Sequence, residues 1–102
     1  MAEHGNSNNN TKAHHLYEIR DSLEDDVFKY GISQDPIDAH GYSNRMRTQV
    51  DFLNLSVKWL RFFARILILD IGGKKEAKQI EKEYIRKYEI ENGQKPRGNR
   101  QV

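Results

Sequence analysis

The hydrophobic and polar positions of this chain alternate in short segments and follow a helical period in longer ones. Leu16 to Arg20 alternates apolar and polar residues, and Val27 to Ser33 is rich in residues that favour β-structure. The acidic segment 21–26 between them predicts the turn of a hairpin. Phe62 to Leu69 is rich in β-branched residues and is soon followed by Gly72-Gly73, which favours a third, short buried strand.

Two segments have the spacing of amphipathic helices. Ser43 is the predicted N-cap of a helix from Asn44 towards Lys58, because a serine hydroxyl can accept a hydrogen bond from the first turn. A second helix is predicted from Lys74 to Glu91, with Asn92-Gly93 as its stop signal. The order strand, strand, helix, strand, helix predicts an α+β domain in which a small three-stranded antiparallel sheet is flanked by helices.

One carboxylate in the second helix departs from its hydrophobic pattern. At about 100° per residue, Glu81 falls within an apolar arc formed by Ala77, Ile80, Tyr84, Ile85 and Tyr88. A lone carboxylate that faces a core costs several kcal/mol unless it is paired, protonated or bound to a cation. Either Glu81 has a metal-binding or catalytic role, or it bridges to a neighbouring arginine or tyrosine.

Chain length and composition limit the number of domains and the kinds of site that this protein can have. The chain has 102 residues and no cysteine, which suits one small domain and excludes disulfides and thiolate metal sites. Residues 1–14 have almost nothing to bury and are expected to be a disordered linker or tail, with the folded domain at 15–102. Its longest apolar stretch, around Ile66 to Leu69, is far too short to cross a bilayer.

Charge is distributed unevenly along the chain. Residues 1–50 contain 5 Lys and Arg against 8 Asp and Glu, whereas residues 51–102 contain 12 against 7. The first part therefore has a net charge of −3 and the second a net charge of +5. A basic second half is compatible with a surface that faces a polyanion.

Several residues occur in a characteristic order along these predicted elements. The first strand contains Tyr17, the second ends near Gly31, the first helix has Arg45 in its first turn, the second helix contains Glu81, and Asn99 follows Pro96. This ordered set, over Tyr17 to Asn99, resembles the GIY-YIG nuclease superfamily with its URI endonuclease fold. The resemblance is closest to the URI-fold toxin domains of bacterial polymorphic toxins.

The resemblance implies a role for each of these side chains. Tyr17 is implied as the general base or water-positioning group, and Arg45 as the donor to the non-bridging phosphate oxygens. Glu81 is implied as the ligand of one divalent ion, Mg²⁺ or Mn²⁺. Asn99 is implied as a residue that orients Glu81 or the water bound to the metal.

The second strand departs from the family pattern. The family has a tyrosine two residues before the glycine, and this chain has Lys29 there, with Tyr30 one place later. Because side chains alternate between the two faces of a strand, Tyr30 should point away from Lys29. Either Lys29 enters the site in place of the tyrosine, or a bulge brings Tyr30 in, and both are kept as catalytic candidates.

The first helix departs from the pattern as well. Gln49 stands where the family often has a histidine, and it is a candidate substrate-binding residue together with His40, Tyr42 and Arg47. His14, His15 and His40 have no metal-ligand spacing and are expected to face solvent.

The function that the resemblance implies is a metal-dependent endonuclease, a DNase with RNA not excluded, used as the C-terminal toxin domain of a secreted antibacterial effector. Such a domain would act in the target-cell cytoplasm and have a cognate immunity protein, acidic on charge grounds. Neither a membrane nor a small-molecule cofactor is expected. The alternatives are a non-catalytic nucleic-acid-binding module of the same fold and a repair or homing nuclease.

Overall fold

The computed structural model describes residues 10–100. Its elements are β1 (His14–Asp21), β2 (Asp26–Ser33), α1 (Asn44–Val57), β3 (Phe62–Ile71) and α2 (Lys74–Asn92), followed by a 3₁₀ turn at Arg97–Asn99. The predicted α+β architecture and the order of its elements are confirmed. In the described part of the chain, neither helix has the length and apolar character needed to cross a membrane.

The sheet is antiparallel with the order β2-β1-β3, so β1 is its central strand and β2 is an outer edge. Tyr17 of β1 lies opposite Gly31 of β2 on one side and Ile66 of β3 on the other. Residues 14–19 are all buried, polar and apolar alike. The central strand is therefore covered on both faces.

The two helices cover opposite faces of the sheet. Tyr17 and Ile19 pack in a cluster with Met46 and Val50 of α1, whereas Leu16 packs in a separate cluster with residues of α2. Because neighbouring strand residues point to opposite faces, α1 and α2 form the two outer layers around β1.

The predicted helix ends are confirmed. The Ser43 hydroxyl accepts a hydrogen bond from the Met46 amide at 3.4 Å, which is the expected N-cap of α1. Gly93 ends α2 with a φ of 81°, a left-handed conformation in which its amide donates to the Glu89 carbonyl. Glycine adopts this conformation without the steric penalty that a Cβ atom would bring.

The first described residues pack against the domain. Asn10 is buried, its side-chain amide donates to Gln34 Oε1 at 2.7 Å, and its carbonyl accepts from the Lys74 amide. His14 and His15 are also buried, so the expectation that they face solvent is wrong. Their rings find partners in the Lys12 carbonyl and the Ser43 hydroxyl. The remainder of the predicted linker, residues 1–9, lies outside the described residues.

A buried aspartate ties the C-terminal segment to the sheet. Asp21 at the end of β1 is 0% exposed, and its carboxylate accepts two hydrogen bonds from Arg61 and one from Arg97. Hydrogen bonds from Arg61 hold the pKa of Asp21 well below its usual range, and Arg97 adds to this effect. The segment after α2 is therefore part of the fold, and its Pro96 is fully buried.

We predict that Asp21→Asn lowers the free energy of unfolding at pH 7 by about 2 kcal/mol, because charge-assisted hydrogen bonds are lost. The lowered pKa of Asp21 means that this stabilisation is complete above the ordinary aspartate pKa and declines as the pH falls below it. The difference between wild type and variant should therefore shrink in acid. Urea denaturation at several pH values measures it.

Asp25→Asn is the matched control, since the Asp25 side chain is 100% exposed and its Arg20 partner is 3.7 Å away. We expect it to change stability by less than about 0.5 kcal/mol. Equal effects of the two substitutions would show that the Asp21 cluster does not stabilise the fold.

Candidate functional site

A cleft of about 820 Å³ runs along β2 at the edge of the sheet. Its walls come from β2, the first turn of α1, the exposed side of α2 and the segment after α2. It is lined by five residues that the sequence analysis selected: Lys29, Gly31, Arg45, Glu81 and Asn99. The ordered motif is thus gathered along one groove, although its members lie far apart in the sequence.

Tyr17 lies against the floor of this cleft at Gly31. A Cβ atom at position 31 would overlap both Cζ and Oη of Tyr17, closer than any side chain could approach. The glycine is required here by this close approach. The Tyr17 hydroxyl donates a hydrogen bond to Gln49 Oε1 at 2.6 Å, so α1 fixes the position of the phenol.

The surroundings of Tyr17 keep its hydroxyl protonated at neutral pH. Burial raises the pKa of Tyr17, the positive charge of Arg45 opposes that rise, and the negative charge of Glu81 adds to it. The amide of Gln49 accepts the hydroxyl hydrogen but, unlike an imidazole, cannot take up the proton. As it stands, the phenol is a fixed hydrogen-bonding group.

Of the two candidates on β2, the structure places Lys29 in the cleft. Lys29 lies opposite Ile19 and Gly31 opposite Tyr17, so Lys29 shares the face of Tyr17. Tyr30 points the other way and packs edge-on against Tyr84, with ring centroids 5.5 Å apart. A bulge is present at Phe28, but it does not turn Tyr30 towards the cleft. Burial lowers the pKa of Lys29, and the nearby Arg45 lowers it further.

Glu81 lies on the cleft wall at the border between core and solvent. It is partly buried, so the prediction that it faces inward holds for part of the side chain only. Burial raises the pKa of Glu81, and the charges of Lys29, Lys78 and Arg45 oppose the rise. Within residues 10–100 the carboxylate forms no salt bridge. The structure thus does not provide the arginine or tyrosine bridge that was the alternative reading.

Arg45 is held at the mouth of the cleft by the first turn of α1. Its main-chain amide donates to Asp35 Oδ2 at 3.1 Å, and its side chain is exposed. The guanidinium is near enough to Tyr17, Lys29 and Glu81 to alter the pKa of each. These four residues therefore form one electrostatic cluster.

Asn99 lines the cleft but is engaged with the main chain of β2. Its side chain accepts from the Tyr30 amide at 2.8 Å and donates to the Tyr30 carbonyl at 2.9 Å. Gly98 lies so close to β2 that a Cβ atom there would be 2.7 Å from the Phe28 ring. Asn99 thus attaches the C-terminal segment to the free edge of β2, which differs from the implied role beside Glu81.

None of the four predicted substrate-binding residues lines the cleft, and Gln49 contacts the buried Tyr17 instead. The Tyr42 hydroxyl accepts a hydrogen bond from the Ala64 amide at 2.9 Å, which ties it to β3. Arg47 pairs with Asp38 at 2.6 Å and stacks over the Tyr42 ring. His40 is exposed in the turn before α1. Their nearness to Arg45 in sequence does not bring them to the site.

The carboxylate ligands of the cleft suit one divalent metal ion that a substrate phosphate would also bind. In the part of the chain that the structure describes, no group of three or more His, Cys, Asp or Glu side chains could hold a metal. A zinc or calcium cage is therefore not built from these residues. Mg²⁺ is commonly held by one or two carboxylates together with substrate phosphates and water. Glu81 fits that requirement, as it does for Mn²⁺.

A row of basic side chains on α2 lines the cleft and is not part of the predicted motif. Lys74, Lys78, Lys82 and Arg86 all line the cleft and recur every four residues. This spacing is visible in the sequence, but only the packing of α2 shows that the row faces the cleft.

Comparison with known proteins identifies one family. A family model described as URI fold toxin 2 matches residues 7–93. This range includes Tyr17, Arg45 and Glu81 but ends before Asn99. No curated protein and no solved structure matches the chain.

We predict that Gly31→Ala displaces the Tyr17 ring and destabilises the protein by about 1–3 kcal/mol, the usual cost of overpacking. The displacement should break the hydrogen bond to Gln49, and the chemical shifts of the Tyr17 ring would report it. Gly72→Ala is the control, because its nearest neighbour is the flexible Glu76 carboxylate at 3.3 Å. If both variants behave alike, the contact between Tyr17 and Gly31 does not constrain the site.

Proposed function

This chain belongs to the URI fold toxin 2 family, and from that membership we propose that it is a metal-dependent endonuclease that hydrolyses phosphodiester bonds. The observation that carries the proposal is the group of Lys29, Arg45 and Glu81 in one basic cleft, with the buried Tyr17 hydroxyl directly beneath the cleft floor. We further propose that DNA is the substrate, with RNA as an outcome of the test.

Two cations would bind and polarise the scissile phosphate. The Arg45 guanidinium offers forked donors that match two phosphate oxygens. Lys29 adds a compact charge from the floor of the cleft, where partial burial strengthens its field. Donors that are already in place where negative charge develops typically account for a large part of catalysis.

Tyr17 would act on the attacking water from beneath the cleft floor, where its hydroxyl is 0% exposed and is held by Gln49. To act as a base it must first become a phenolate, which burial disfavours and Arg45 promotes. Lys29 has a lowered pKa and is the second group able to carry a proton in the cluster. The protonation state of these two side chains would therefore control the activation of water.

Glu81 would hold the single divalent ion, Mg²⁺ or Mn²⁺. Such an ion supplies positive charge to the phosphate and to the leaving oxygen. Lys29, Lys78 and Arg45 surround the carboxylate and would repel a free cation. We therefore expect the affinity for metal to be low without substrate and to rise once a phosphate neutralises these charges.

Family membership supports a biological setting for this activity. We propose that the chain is the toxin domain of a secreted antibacterial effector and acts in the cytoplasm of the target cell. Its partner would be a cognate immunity protein that covers the cleft. The basic lining of the cleft favours an acidic partner surface, since complementary charge speeds association and selects the partner.

One observation favours a second candidate, a non-catalytic module that binds nucleic acid. Gln49 accepts the hydrogen bond of Tyr17 but cannot accept its proton, and Lys29 replaces a tyrosine. A module of this kind would keep the basic cleft without turnover. A repair or homing nuclease would cleave DNA but would not be toxic when expressed in bacteria.

We predict that Glu81→Gln lowers plasmid cleavage by about a hundredfold or more and leaves the fold intact. Because burial raises the pKa of Glu81, the ionised form is disfavoured in the folded protein, so the neutral amide should melt at an equal or higher temperature at pH 7. Nicking of supercoiled plasmid with Mg²⁺, with Mn²⁺ and with EDTA measures activity, and circular dichroism measures melting.

Glu83→Gln is the matched control on the same helix, since Glu83 is exposed and outside the cleft. It should cleave like the wild type. If Glu81→Gln unfolds the protein, Glu81 is structural and the proposed site fails. If the wild type binds DNA but cleaves neither plasmid nor a labelled RNA, the non-catalytic module is correct, and cleavage of the RNA alone would make RNA the substrate.

A second prediction concerns the pH dependence of cleavage. The rate should fall in acid as Glu81 becomes protonated, at a pH above the ordinary glutamate pKa, because burial raises the pKa of Glu81. Lys29 lowers that pKa, so Lys29→Met should move the acid limb to higher pH in addition to reducing the rate. Single-turnover rates from pH 4.5 to about 8 locate this limb.

Lys75→Met provides the control for this shift, because Lys75 lies on α2 outside the cleft. It should leave the acid limb where the wild type has it. If the acid limb of Lys29→Met lies at the same pH as that of the wild type, Lys29 does not influence the pKa of Glu81. Lys29 would then not belong to the proposed cluster.

A further inference from the structure

The exposed side of α2 presents a regular row of cations beside Glu81. Lys74, Lys78, Lys82 and Arg86 are spaced by four residues and all line the cleft. Each step advances about 6 Å along the helix axis, comparable to the distance between neighbouring phosphates on one strand of nucleic acid. We call these four residues the α2 row.

Three members of this row have a positive charge that no salt bridge compensates. Within residues 10–100, Lys78, Lys82 and Arg86 form no salt bridge, although acidic side chains are close in sequence. The basic side chains that do pair with carboxylates all lie outside the cleft: Arg20, Arg47, Arg61, Arg65 and Arg97. The cleft wall thus has three adjacent cations of the row without a salt bridge, and none of the paired arginines lines the cleft.

This arrangement works against helix stability. Like charges four residues apart on a helix repel each other by a few tenths of a kcal/mol per pair. Other helices commonly place a carboxylate at that spacing, and here the position holds another cation in each case. A bound polyanion would relieve the repulsion along the whole row.

We propose that the α2 row binds the sugar-phosphate backbone of one nucleic-acid strand and leads that strand to Glu81. The proposal rests on the nuclease function above and specifies how the substrate is held. Glu81 lies between Lys78 and Lys82 in sequence and shares the cleft with both, so a strand that follows the row passes the carboxylate.

The length of the row sets the size of the footprint. From Lys74 to Arg86 the helix advances about 18 Å, enough for three or four successive phosphates. Glu89 lines the cleft beyond Arg86, and its negative charge would repel the next phosphate. Because contacts to phosphates contain no information about base identity, binding by the row is independent of sequence.

The salt dependence of binding tests the row without requiring cleavage. Fluorescence anisotropy with a labelled oligonucleotide, in EDTA and in a Glu81→Gln background, gives the dissociation constant at several salt concentrations. Each lost phosphate contact lowers the slope of log K against log salt by about 0.7 for a single strand or 0.9 for a duplex. Lys82→Gln/Arg86→Gln should therefore lower it by about 1.4 or 1.8.

The chain offers a control of equal charge change on the same helix. Lys75 and Lys87 are exposed on α2 but do not line the cleft, so Lys75→Gln/Lys87→Gln should leave the slope nearly unchanged. Equal reductions by both double variants would mean that only the overall charge matters, and would overturn the proposal. An unchanged slope in Lys82→Gln/Arg86→Gln would overturn it as well.

Plasmid nicking by the otherwise unaltered protein separates this proposal from the nuclease function. One outcome is that only Lys82→Gln/Arg86→Gln lowers the salt slope and that the wild type does not cleave plasmid. This outcome supports binding by the α2 row and refutes the nuclease function. Cleavage by the wild type, combined with an unchanged slope in that variant, supports the nuclease and refutes the row.

Discussion

The contact between the Tyr17 phenol and Gly31 is the constraint on which the candidate site depends. It places a buried hydroxyl directly under the cleft floor, and it is possible only because position 31 has no side chain. The same phenol is held by Gln49 of α1, so the contact also sets where the first turn of α1, with Arg45, meets the edge of the sheet. Tyr17 in the central strand therefore contacts both β2 and α1 directly beneath the cleft.

The protein uses its charges in two separate ways. Around Asp21, two arginines satisfy one buried carboxylate, and this cluster attaches the C-terminal segment to the sheet. Asn99 then completes the free edge of β2. Along the cleft, in contrast, the cations of α2 outnumber the carboxylates, of which Glu81 lies on the same helix between Lys78 and Lys82. Paired charges thus stabilise the fold, whereas Lys78, Lys82 and Arg86 line the cleft and form no salt bridge within residues 10–100.

Within the site, Lys29 in place of the expected tyrosine changes the acid–base properties more than the position of the side chain. Lys29 occupies the face that the family pattern assigns to its second tyrosine, whereas Tyr30 packs on α2. Gln49 likewise keeps a hydrogen bond to Tyr17 where a histidine could exchange a proton. The geometry is thus maintained by residues with different acid–base properties, and the protonation of Lys29, Tyr17 and Glu81 becomes mutually dependent.

The sequence by itself determined the elements, their order and the residues that the family motif selects, because hydrophobic period, capping and turn signals act over a few neighbouring residues. Every strand and helix begins and ends within two residues of its predicted limits. Only the tertiary structure decided what depends on contacts between distant segments. The burial of His14 and His15, the anchoring of Arg97 by Asp21 and the exclusion of Tyr42 from the cleft all follow from packing across the sheet, which no local pattern encodes.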